Sequence, residues 1–84
     1  MNNRVLVTVF VPKLEMSYDI FIPIGRKVKS VIKLLSKAIS DLSNGVFPEN
    51  GGKVLCNQKT GIKYDYELLI KETDIRNGTD LTLL

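Results

Sequence analysis

From Arg4 to Val11 apolar positions recur with a period of two, Val5, Val7, Val9 and Val11 on one face and Leu6, Thr8 and Phe10 on the other. That alternation and its β-branched content predict a strand. Both faces are rather apolar, which predicts a central place in a sheet. Pro12 has no amide hydrogen and ends the run. A second alternation, Ser17 to Ile24, sets Tyr18, Ile20, Ile22 and Ile24 against Asp19, Phe21 and Pro23. The short connection between the two runs predicts a hairpin, and a proline inside the second predicts an edge strand.

From Val28 the period becomes helical: Val28, Val31, Ile32, Leu35, Ala38, Ile39 and Leu42 form one apolar stripe, which must lie on the sheet. Ser43-Asn44-Gly45 supplies a helix stop, whereas Gly25-Arg26-Lys27 offers no Ser, Thr or Asp cap at the start. The stretch Val46 to Gly52 is a turn-rich loop in which Phe47 is expected to tuck under the helix end while Asn50-Gly51-Gly52 stays mobile. Lys53 to Asn57 and Ile62 to Tyr64 read as two short strands of a second hairpin. Leu68, Leu69, Ile70 and Ile75 anchor a connection that leads through Asn77-Gly78 into a final alternating strand ending at Leu84.

With 84 residues the chain has room for one domain, 1–84. No apolar run approaches the ~18 residues of a membrane span, so direct membrane insertion is not expected, and a cytoplasmic location is. The single cysteine, Cys56, allows neither an internal disulfide nor a thiol metal cage, and with no histidine in the chain it reads as a small half-buried hydrophobe. The absence of histidine, of a paired-carboxylate constellation and of a phosphate-cradling glycine loop argues against an enzyme, and neither a metal nor a cofactor is expected. The net charge of +3 is unevenly spread: bases dominate through Ser40 and acids outnumber them afterwards. Such a dipole orients a partner without specifying it.

Strand, strand, helix, short strands, compact turn and final strand resembles the ubiquitin-like β-grasp, an α+β fold with a mixed four- to five-stranded sheet and one helix packed across it. The segments RVLVTVFV, YDIFIPI, VKSVIKLL and DIRNGTDLTLL are most similar to the YukD/EsaB-type ubiquitin-like proteins of the type VII (WXG100) secretion systems of Gram-positive bacteria. The resemblance implies that the first and last strands lie parallel and adjacent. It also implies a non-catalytic adaptor or regulator that binds a cytosolic part of the secretion machinery. Conjugated relatives carry a flexible Gly-Gly tail, and the expectation from Leu84 falling within the final strand is that this chain is neither a covalent modifier nor a sulfur carrier.

Two surfaces are candidates for partner binding. Lys29, Lys33 and Lys37 recur every four residues with no acid at helical spacing to neutralise them. They read either as a solvated face or as a docking strip for an acidic segment. Nucleic acid is disfavoured there because aromatic residues do not interleave with the bases. The second surface is the outer sheet face, on which Leu6, Thr8, Phe10, Leu55, Thr82 and Leu84 are expected to form one apolar patch, with Leu14 or Met16 at its rim. This face suits a protein partner or, equally, a homodimer.

Overall fold

The alternation at the N-terminus becomes strand β1, Arg4–Val11, and the second becomes β2, Met16–Pro23. The computed structural model describes residues 3–48 and 52–84. The expectation of a mobile Asn50-Gly51 therefore lies outside the described residues. Helix α1, Val28–Leu42, is followed by β3, Leu55–Asn57, a 3-10 turn, Ile70–Glu72, and β4, Asp80–Leu83. The strand expected at Ile62–Tyr64 is reduced to an isolated bridge between Cys56 and Lys63.

The sheet has four strands in the order β2-β1-β4-β3. β1 pairs antiparallel with β2, placing Leu6 opposite Phe21 and Thr8 opposite Asp19. It pairs parallel with β4, placing Thr8 beside Asp80 and Phe10 beside Thr82. β4 pairs antiparallel with β3. The first and last strands thus fill the centre, as the β-grasp requires.

One face of this sheet is buried with the helix. Val7, Val9, Val11, Ile22, Leu81 and Leu83 from the strands meet Val28, Val31, Ile32, Leu35 and Ile39 from α1, and Phe47, Ile70 and Ile75 seal the ends. The helical stripe is shorter than its periodicity suggested: Ala38 is half-buried and Leu42 exposed. Ser36, by contrast, is buried, its hydroxyl donating to the Ile32 carbonyl at 2.7 Å, which removes the cost of an unpaired polar group.

The helix start lacks a side-chain cap because the chain supplies one from elsewhere. The amides of Val28 and Lys29 donate to the carbonyls of Leu68 (2.8 Å) and Tyr66 (3.1 Å), so the 66–68 segment satisfies two of the amides a helix leaves free. At the other end Asn44 and Gly45 take positive φ, 56° and 81°, and the Gly45 amide reaches back to the Ser40 carbonyl at 2.7 Å.

Candidate interaction surfaces

The outer sheet face follows from strand register. Residues directly opposite on neighbouring strands point to the same face. Leu6 and Phe21 form one cross-strand apolar pair, 39% and 55% exposed, and the Arg4 guanidinium sits over the Phe21 ring at 5.2 Å from its centroid. Next along β1 comes a polar strip. Thr8 donates its hydroxyl to Asp19 Oδ1 at 2.7 Å, and Asp80 flanks Thr8 from the opposite strand. Beyond it lie half-buried Phe10 and Thr82, with Cys56 opposite Thr82. Four of the expected patch residues, Leu6, Thr8, Phe10 and Thr82, are therefore brought together, with Asp19 and Asp80 dividing the apolar ground.

Leu55 is not among them. It stands opposite Leu83, whose side chain is in the core, and is itself fully buried at 0% exposure, so the outward position on β3 belongs to Cys56. The expected parity of this strand is thus reversed. Leu84 is 59% exposed at the rim, its backbone exchanging hydrogen bonds with Val54 at 2.9 and 3.0 Å. Of the expected rim residues, Met16 is exposed but Leu14 packs partly against the core. Sequence reasoning passed over Phe21, Asp19 and Arg4, although the β2 alternation already placed Phe21 and Asp19 on one side.

The helix lysines divide as well. Glu67 lies between two of the bases, 3.1 Å from Lys27 Nζ and 3.1 Å from Lys29 Nζ, and these hydrogen bonds hold its carboxyl below the usual carboxylate range. Lys37 is 3.9 Å from Asp41, an acid at helical spacing that the sequence reading overlooked. Lys33 is exposed and, among the described residues, has no ion pair. The basic strip is therefore partly neutralised within the molecule itself.

The tyrosines serve the scaffold. The buried Tyr64 hydroxyl donates to Asp74 Oδ1 at 2.6 Å and accepts from Asn57 Nδ2 at 3.2 Å. Burial, reinforced by the bond to Asp74, pushes its phenol up to about 12. Tyr66 donates to the Lys53 carbonyl at 2.8 Å, and the Lys63 ammonium lies 4.7 Å from its ring centroid. Among the described residues no His/Cys/Asp/Glu group is arranged to hold a metal, and no helix is long and apolar enough to cross a membrane. One cleft of about 320 Å³ opens between Pro12, Lys13, Phe47, Lys53 and Leu84.

No protein-family model matches the sequence, and no curated protein matches it. Solved structures do. The ubiquitin-like domain of the Mycobacterium tuberculosis type VII secretion system protein ECCD1 superposes with a TM-score of 0.76 at 13% identity, covering 100% of this chain and 99% of that one. A chain of the MycP5-free ESX-5 inner membrane complex matches with a TM-score of 0.71 at 17% identity; 99% of this chain is covered but only 21% of that chain, so the match spans about a fifth of its length. A chain of the toluene 4 monooxygenase HD complex with 4-bromobenzoate matches with a TM-score of 0.78 at 10% identity over 95% of each. The fold is the ubiquitin-like β-grasp.

Proposed function

We propose that this chain is a non-catalytic ubiquitin-like adaptor or regulator of type VII secretion, cytoplasmic, and bound to a cytosolic part of the secretion machinery through its outer sheet face. The observation that carries the binding mode is the exposed Leu6–Phe21 pair beside the Asp19–Thr8–Asp80 strip. A globular domain normally buries apolar surface of this kind, and leaving it exposed across β1 and the edge strand β2 suits recognition of a protein partner. The choice of machinery is supported by the likeness to the ECCD1 domain, which matches end to end, and by the segments that resemble the YukD/EsaB type. The lack of any histidine and the scaffold role of Tyr64 favour binding over chemistry.

The test is co-purification of the chain with type VII membrane components of the same organism, followed by calorimetry. Leu6→Asp and Phe21→Asp are expected to weaken association by at least roughly tenfold, with the circular dichroism spectrum unchanged. Absence of any association would refute the secretion role.

A second reading assigns the contact to the basic helix face, which would take an acidic segment or nucleic acid. Lys33 is the residue that favours it, being exposed and free of an ion pair among the described residues. Under that reading Lys33→Glu with Lys37→Glu, rather than the sheet variants, removes binding. A nucleic-acid ligand would add a steep fall of affinity with salt.

A further inference from the structure

The sheet has two edges, and the structure covers one of them. Along β3, Tyr64 donates its amide to the Leu55 carbonyl at 2.9 Å and Asn57 donates to the Ile62 carbonyl at 3.0 Å, so the 62–64 segment takes up groups that β3 turns away from β4. Along Ser17–Phe21 of β2 nothing equivalent is found among the described residues. Thr8 donates to the Thr79 carbonyl, Gly78 donates to the Leu6 carbonyl, and the Leu6 amide donates to Asn77 Oδ1, so the even-numbered residues of β1 face β4. Direction alternates along a strand, and therefore Val5, Val7, Val9 and Val11 are bonded to their partners Ile22, Ile20, Tyr18 and Met16. Ser17, Asp19 and Phe21 must then turn both backbone groups outward, and among the described residues no backbone group meets them.

The window has clear limits. At its lower end Pro23 has no amide to offer, and Lys71 donates to the Ile24 carbonyl at 3.0 Å. Native sheets usually shield an edge of this length or stud it with charge, since it is a template for another strand. Within Ser17–Phe21 the sole charged side chain is Asp19, on the outer face, held by Thr8 and without an ion pair among the described residues. On the helix side the window presents Tyr18 and Ile20, both half-buried.

The geometry points to β-strand addition at the β2 edge by an extended segment of a protein partner. That segment carries apolar residues on the side facing Tyr18 and Ile20 and a lysine or arginine directly opposite Asp19. Main-chain hydrogen bonds to Ser17, Asp19 and Phe21 provide the affinity, and the alternating side chains provide the choice of partner. Charge selects this occupant over a second copy: pairing two β2 strands antiparallel over the whole window sets Asp19 against Asp19, and like charges directly opposite are unfavourable. This edge adjoins the outer-face patch through Asp19 and Phe21 but offers their main-chain groups, and it stands whether or not the partner belongs to a secretion system.

The experiment selects a displayed library of random twelve-residue peptides on the full chain. The expected result is enrichment of alternating apolar sequences with a central base. A synthetic peptide of the consensus should slow hydrogen exchange of the Ser17, Asp19 and Phe21 amides. Asp19→Lys should weaken that peptide roughly tenfold, Asp19→Asn less, and a glutamate in place of the peptide's base should restore binding to Asp19→Lys. The proposal is overturned if no sequence is enriched, if the peptide's protection maps to the outer face or the helix, or if the three amides become protected by raising the concentration of the chain alone.

Discussion

Leu55 and Cys56 are neighbours with opposite fates, and the difference rests on a single register. Because Leu55 stands opposite Leu83, it fills the core, and Leu55→Ala is expected to cost about 2–5 kcal/mol in urea unfolding, the range for an emptied leucine site. The parity of a three-residue strand was not legible in the sequence, since Val54, Leu55 and Cys56 are all apolar and no alternation marks a face. The longer β1 and β2 patterns, by contrast, fixed their faces correctly from period alone. Tyr64 likewise gave no sign of its partners, because Asn57 and Asp74 are brought to it by tertiary structure. Its phenol stands at about 12 against an ordinary 10.0, so folding favours the neutral form. That contribution is complete below pH 10 and disappears as pH rises through about 12. An ultraviolet titration should show one tyrosine step near pH 12 that Tyr64→Phe removes. The same variant should lose about 1–2 kcal/mol, since it removes two hydrogen bonds, one to half-buried Asn57 and one to exposed Asp74.

At the scale of the element, α1 is held at both ends by devices other than its stripe. The sequence offered no N-cap, and that gap was real: the caps are backbone carbonyls of residues 66 and 68, which no local motif announces. Glu67, in the same segment, clamps Lys27 and Lys29. Its carboxyl is held low by those hydrogen bonds, so the clamp is intact above the ordinary carboxylate pKa and is lost as pH falls through the depressed value. A thermal-denaturation series should show Glu67→Gln melting below the parent at neutral pH and converging with it at low pH, which flattens the acid side of the pH–stability profile. The helix stop, in contrast, was legible in Asn44-Gly45. Gly45→Ala at a φ of 81° is expected to destabilise by about 1 kcal/mol or more, read from the melting midpoint.

Across the whole molecule, the uneven charge seen along the chain is partly cancelled in space, because the Glu67 segment returns to the basic helix start. The alternation of β1 predicted its central place, but the parallel neighbour there came only from the resemblance to a known fold; periodicity cannot say which distant strand arrives beside it. The β2 edge was legible as an edge through Pro23, whereas which of its groups are unoccupied required the register. Removing Asp80–Leu83 should therefore leave a chain without native circular dichroism, since β1 and β3 lose their common neighbour at once.

That arrangement sets an order of events for the newborn polypeptide. The segment that completes the middle of the sheet leaves the ribosome after every other strand, so the hairpin and helix made earlier must wait with a valine-rich flank unsheltered. Synthesis of this domain thus passes through a sticky interval, during which chaperones have their natural opportunity to hold it.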